Sequence, residues 1–217
     1  MDRLFILFQH LVPQHLLSRC TGVLAELRHP IGLKNWAIAQ FIRRFGVDMA
    51  EAAVPDHTQY SCFNDFFTRP LREDARPLAD ADILCPADGA ISQLGEISNG
   101  LLFQAKSRYF SAEDLLGGDE KRAAQFNGGQ FATIYLSPKD YHRVHMPVAG
   151  RLTATCYIPG QLFSVHGVTT ANVDRPFARN NRPVSYFYTA FCPMALAGVG
   201  GMDATGIEPT WAGRVAA

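Results

Sequence analysis

Apolar residues near the start of the chain recur at helical spacing. Leu4, Leu7, Phe8 and Leu11 fall at i, i+3, i+4 and i+7; Ile38, Phe41, Ile42 and Phe45 repeat the pattern, with Lys34, Arg43 and Arg44 outside the stripe. The spacing predicts helices across residues 1–50, interrupted at Pro13, whose ring cannot sit inside a helix. From about residue 83 the period shortens towards two. Phe131 to Leu136 is a β-rich run, and Leu152, Ala154, Cys156 and Ile158 alternate with Arg151, Thr153, Thr155 and Tyr157. Val184 to Phe191 is a further aromatic and β-branched run, and turn signals stand at Asn127-Gly128-Gly129, Pro147 to Gly150 and Pro159-Gly160. One short helix is expected among the strands, with Ser111 as N-cap, Asp114 at N3 and Gly117-Gly118 as the stop.

Helices first and strands after predict an α+β fold: N-terminal amphipathic helices followed by a mostly antiparallel β core, incomplete at the C-terminus. The division expected from the pattern is a helical, membrane-docking segment over residues 1–55 and a β-rich core over 56–217. Ala195 to Gly206 is rich in Gly and Ala, a composition that predicts no robust strand by itself, because Gly costs roughly 0.5–1 kcal/mol relative to Ala in a regular element. The loss of a closing strand predicts an open sheet edge.

Composition narrows the class. Of the 217 residues, 47% are hydrophobic and 18% charged, enough for a real core and too apolar for a disordered chain. The net charge of zero argues against nucleic acid as a partner. It is unevenly spread, however. Arg3, Arg19, Arg28, Lys34, Arg43 and Arg44 face only Asp2 and Glu26 within residues 1–46, a surplus of +4 that the remainder balances. A basic, apolar segment suits either packing on the domain core or docking to an anionic membrane, and one helix can have a face for each. Its apolar runs fall short of the roughly 18 residues that a membrane span needs. Five cysteines, widely spaced and without a C-x-x-C, predict reduced thiols rather than a disulfide framework or a zinc site.

The densest chemistry lies in Ser137-Pro-Lys-Asp-Tyr-His-Arg-Val-His-Met-Pro147. Ser137, Pro138 and Asp140 match a helix start, which would put His142 and His145 on one side of a short helix or turn. An H-x-x-H pair supplies only two metal ligands and no Glu follows it in the arrangement of a zinc protease, so no metal is expected. Cys85-Pro86-Ala87-Asp88-Gly89 is a turn by composition, yet an Asp so held can orient a histidine. No serine stands in a G-x-S-x-G elbow, which leaves a Ser-His-Asp hydrolase without its nucleophile.

Phe63-Asn-Asp-Phe-Phe-Thr-Arg-Pro-Leu-Arg72, Arg76-Pro77, Pro86-Ala-Asp-Gly89, the block from Tyr135 to Pro147, Pro159-Gly160, Leu162-Phe-Ser-Val165, Phe177-Ala-Arg-Asn180 and Trp211-Ala-Gly213 together resemble bacterial phosphatidylserine decarboxylase. The resemblance implies a proenzyme in which the Ser of a Leu-Gly-Ser-Thr motif attacks the preceding Gly, splitting off a small α-chain whose new N-terminus is a pyruvoyl group. It implies catalytic roles for Asp88 and His145, as partners of that Ser, and for His142, in proton transfer to carbon. It also implies phosphatidylserine in an anionic membrane as substrate, the pyruvoyl α-chain as partner, and a peripheral place on the cytoplasmic face of the cell membrane; a homodimer is compatible with it. No Leu-Gly-Ser-Thr occurs in the 217 residues, so this chain corresponds to most of the β-chain without the pyruvoyl-forming Ser. The alternative is an inactive remnant that binds lipid headgroups.

Overall fold

The computed structural model describes Gln9, residues 12–201 and residues 207–211. The first expected helix, at Leu4 to Leu11, lies outside the described residues except for Gln9. Helix α1 (Gln14–Ala25) starts directly after Pro13, whose carbonyl accepts from the amides of Leu16 and Leu17, so the proline bounds the helix as its chemistry requires. Helix α2 (Ile31–Phe45) carries the predicted stripe and ends at Gly46, whose φ of 69° is the left-handed conformation of a C-cap. Ile38 is fully buried and packs with Val47, Tyr60 and Phe66, while Phe41 and Ile42 lean against that cluster. Lys34 departs from expectation. It is buried, and its ammonium donates to the carbonyls of Thr58 (3.2 Å) and Tyr60, so a residue assigned to the polar face turns its charge inward to two backbone acceptors.

A 3₁₀ turn at His57–Gln59 and helix α3 (Phe63–Phe67) follow. The strands are β1 (Ala90–Glu96), β2 (Leu101–Ala105), β3 (Arg108–Ser111), β4 (Gln130–Tyr135), β5 (Gly150–Ile158), β6 (Arg182–Thr189) and β7 (Pro193–Ala197). Short helices α4 (Ala112–Leu115) and α5 (Glu120–Ala124) lie between β3 and β4, and α6 (Gly167–Asn172) and α7 (Pro176–Arg179) between β5 and β6. β1 pairs with β4, β2 forms an antiparallel hairpin with β3, and β5-β6-β7 is an antiparallel sheet. The α+β class and its antiparallel character are as predicted.

By contact the described residues fall into two compact units. One, the sheet unit, takes the start of the chain through Thr21 with residues 91–133 and 150 onward; the other, the histidine unit, takes 22–90 and 134–149. The core of the sheet unit is built from Ile97, Leu102, Phe110, Leu116, Phe177, Val184 and Tyr186, with Ala154, Cys156 and Ile158 packed against it, which is the inward face that the alternation of β5 predicts. Ser111 caps α4 as expected, accepting from the Asp114 amide at 2.9 Å, and Gly117 and Gly118 take φ of 89° and 84° to stop it.

Part of the Ala- and Gly-rich tail forms a strand by pairing with a neighbour. Ala195, Leu196 and Ala197 lie in β7, paired with Tyr186, Ser185 and Val184 of β6. Strand formation here comes from the ladder offered by β6 and from small side chains half-buried against the core, which together override weak intrinsic propensity. A Cβ at Gly198 would press on the Ile207 side chain at 3.0 Å, so small residues are what the space admits. Residues 202–206 lie outside the described part.

Candidate active site

All three residues singled out by sequence, Asp88, His142 and His145, belong to the histidine unit, on irregular backbone. Of the short helix or turn expected after Ser137, the turn forms. Asp140 closes it: its amide donates to the Ser137 carbonyl (2.9 Å), and its carboxylate accepts from the Ser137 amide (2.6 Å) and hydroxyl (2.8 Å). Beyond the turn the chain runs without regular structure to Met146 because its hydrogen bonds are made sideways. The His145 amide donates to the Pro86 carbonyl (2.7 Å), and the Leu84 amide to the Pro147 carbonyl (2.8 Å). Arg143 Nε donates to the Thr68 carbonyl (2.7 Å), and Arg69 Nη2 to that of Lys139 (3.1 Å), so the end of α3 holds the segment at two points.

The Pro86-Ala-Asp-Gly89 turn is fitted to this neighbour. Gly89 has φ of 147°, and a Cβ there would run into the backbone oxygen of Tyr135, so both conformation and space demand glycine. The close approach fixes Asp88, one residue earlier, beside the end of β4.

The His142 ring lies 4.0 Å from that of Phe67, between centroids, and its Nδ1 is 2.8 Å from the Asp140 carbonyl oxygen. A carbonyl only accepts, so Nδ1 carries a proton and Nε2 is the basic nitrogen of the neutral ring. His145 is exposed, and its Nε2 lies 3.0 Å from the hydroxyl of buried Tyr141, whose ring runs nearly parallel to it (22°). Burial pushes the Tyr141 phenol above its usual range.

Asp88 is held by Arg76. The guanidinium Nε reaches both carboxylate oxygens (3.0 and 3.1 Å) and Nη2 reaches Oδ2 (2.6 Å), while Nη1 and Nη2 also grip Glu51 at 2.9 and 2.8 Å. The hydrogen bond from Arg76 holds the Glu51 carboxyl below its ordinary range, and the two carboxylates push the guanidinium up. Among the described residues no hydrogen bond joins Asp88 to His145. The structure therefore brings the two into one neighbourhood, through Pro86, and gives the carboxylate a guanidinium partner. Arg69, 3% exposed, lies near Glu51, Asp88 and Asp140; burial lowers its pKa, and Nε and Nη1 have no hydrogen-bond partner. No group of three His, Cys, Asp or Glu able to hold a metal occurs among the described residues.

A family model described as phosphatidylserine decarboxylase matches residues 63–215, and a second, described as PSD, matches residues 4–46. The chain belongs to the phosphatidylserine decarboxylase family. It is similar to the phosphatidylserine decarboxylase proenzymes of Ectopseudomonas mendocina (59% identical), Bordetella pertussis (56%) and Hahella chejuensis (54%), with 99% of this chain aligned in each case. It spans 75%, 72% and 73% of those relatives, respectively.

Within this decarboxylase, the sequence pattern marks Tyr141 together with the two histidines, but not Glu51, Phe67, Arg69 or Arg76 as parts of the site. Phe67, Arg69 and Arg76 stand inside the family motifs, so the charged and aromatic residues of those motifs carry a signal that could have raised them. Nothing in the local pattern marks Glu51, which reaches Arg76 through the Ala52–Leu71 pairing of two distant loops.

Proposed function

We propose that, in the conversion of phosphatidylserine to phosphatidylethanolamine and carbon dioxide, His142 supplies the proton that replaces the carboxylate. The observation that carries this reading is the fixed tautomer of His142. The reaction removes carbon dioxide from the serine α-carbon and puts a proton there, so it needs an electron sink and an oriented acid. A pyruvoyl group, when bound, supplies the sink. The residues present fit it in one respect: the carbanion left beside such a sink takes up a proton, and His142 offers an imidazole of defined tautomer to deliver one. Nδ1–H stays on the Asp140 carbonyl, Phe67 limits tilting of the ring, and Nε2 of the imidazolium delivers the proton to carbon.

Asp88 and His145 are assigned to maturation, the chain cleavage that yields the α-chain. A carboxylate engaged by a guanidinium is held in place, and proton movement falls to His145. The lipid is met at an anionic membrane surface on the cytoplasmic side. Val23, Leu24, Leu27, Ile31, Leu33 and Trp36 in the histidine unit are exposed, and Arg28, Arg43 and Arg44 accompany them, a combination that suits an interfacial helix. No helix among the described residues is long and apolar enough to cross a membrane.

The test uses the complete gene product isolated from its own cells, with vesicles of phosphatidylserine labelled at the serine carboxyl. Release of labelled carbon dioxide, with a small pyruvoyl-blocked chain in the intact-mass spectrum, is the expected result. A single uncleaved chain that releases none overturns the reading.

A further inference from the structure

We infer that Arg69 and Arg143 are positioning residues for His142: between them they lock the segment from Lys139 to Arg143 onto the end of α3, and so fix the carbonyl that holds the His142 ring. The inference rests on the assignment of proton delivery to His142 and adds two residues to which that reading gives no part.

The platform is anchored in a core. Phe66 of α3 is fully buried and packs with Ile38, Val47 and Tyr60. Helix α3 stops before Arg69, because Pro70 disfavours helical backbone at the residue preceding it. The amides of Thr68 and Arg69 turn back onto the carbonyls of Asn64 (2.9 Å) and Phe66 (3.2 Å). Three consecutive residues of this end then meet the segment. The Phe67 ring faces that of His142, the Thr68 carbonyl accepts from Arg143 Nε at 2.7 Å, and Arg69 Nη2 donates to the Lys139 carbonyl at 3.1 Å. His142 is thus bracketed, with one tether before it in the chain and one directly after.

The tethers act on the ring through Asp140. The peptide between Lys139 and Asp140 is held at both ends, its oxygen by Arg69 and its N–H by the Ser137 carbonyl (2.9 Å). The Asp140 carboxylate is tied to Ser137 as well. What remains is the Asp140 carbonyl, and that is the acceptor for His142 Nδ1 at 2.8 Å. Arg143 fixes the chain on the other side of the ring.

The nature of Arg69 supports a role beyond packing. Its guanidinium is buried, and Nε and Nη1 lack hydrogen-bond partners, a costly state that an apolar side chain of similar length would avoid. Its one hydrogen bond among the described residues is the one to Lys139.

The test uses the complete gene product labelled with nitrogen-15 at histidine, observed by NMR at a pH where the His142 ring is neutral. Wild type is expected to hold the ring proton on Nδ1. In Arg69→Met and in Arg143→Met the Asp140 carbonyl is freed, and the share of the ring protonated on Nδ1 is expected to fall. The kcat for carbon dioxide release, counted per cleaved chain, is expected to drop about tenfold. For buried Arg69 the KM is expected to stay within about twofold of wild type. A loss of stability alone would lower the melting temperature without moving the proton between ring nitrogens. An unchanged tautomer or an unchanged kcat in a folded Arg69→Met chain overturns the inference. If that chain does not fold, the same result in Arg143→Met, whose side chain is exposed, overturns it. His142→Ala separates the two levels: full carbon dioxide release in that variant sinks the reading of His142 itself. Loss of release there, with tautomer and kcat intact in both arginine variants, sinks only their positioning role.

Discussion

Two arginines show how differently the units use the same side chain. Arg182 in β6 is 1% exposed, and each guanidinium nitrogen meets a backbone carbonyl: Nε that of Leu115 (2.7 Å), Nη1 that of Asn180 (2.6 Å), Nη2 that of Asp114. Asp114 and Leu115 end α4, so the cation supplies the Leu115 carbonyl and adds a donor to the Asp114 carbonyl, which also accepts from the Gly117 amide at 3.3 Å. Arg76 in the histidine unit has 40% of its side chain exposed and binds carboxylates. Carbonyl acceptors do not titrate; carboxylates do. An arginine among carbonyls is a fixed part of the frame, whereas one among carboxylates sets a local charge that protons and substitutions can change.

The strongest way to separate frame from chemistry is to alter one without the other. His142→Ala removes the proposed proton donor from a half-buried position that contributes little to the core. Carbon dioxide release by the complete gene product should fall about 10²–10⁴-fold, with chain cleavage and melting temperature close to wild type. A loss of cleavage along with activity would place His142 in the frame.

Arg182→Met makes the opposite change. It takes the Arg182 donor from the carbonyls of Leu115 and Asn180, and one of two donors from that of Asp114, and should cost about 3 kcal/mol, read as a shift of the urea midpoint at unchanged slope. Asn180→Ala is a milder probe of the same unit. Asn180 is fully buried, accepts from the Phe163 amide (3.0 Å) and donates to the carbonyls of Phe163 (2.7 Å) and Gly200 (2.8 Å); its loss should cost about 2 kcal/mol. If both variants melt like wild type, the carbonyl-bound frame contributes less than its burial implies.

The same contrast explains what could be read from sequence. The sheet unit is periodic: the alternation along Leu152 to Ile158 gave the inward face, and Ser111, Asp114 and Gly117-Gly118 gave a helix with both its ends. The strand at Ala195 to Ala197 was not legible, because it exists where a neighbour pairs with it, and that information is not local. In the histidine unit the reactive residues were legible from their motifs, but the backbone under them was not. Ser137, Pro138 and Asp140 fit a helix start equally well as a turn, and the outcome was decided by partners 50 to 75 residues away, Pro86 and Thr68. Lys34 turned inward for a similar reason, since the carbonyls it serves belong to a 3₁₀ turn beyond the helix that carries it.

The smallest expected effect follows from the acidity of Glu51, whose carboxyl is held below its ordinary value of 4.5 chiefly by the hydrogen bond from Arg76. A carboxyl group depressed on folding adds stability above its unfolded pKa, and that stability is lost as the pH falls through the folded value. Wild type should therefore exceed Glu51→Gln in urea midpoint at neutral pH, and the gap should close as the pH drops below about 4.5. Its size is held under about 1 kcal/mol, because both side chains are 40% exposed and solvent screens the pair. The Arg182 cost should show no such closure over this range, as its acceptors are carbonyls. Parallel acid limbs for Glu51→Gln and Arg182→Met would remove the distinction between a titrating site and a fixed frame.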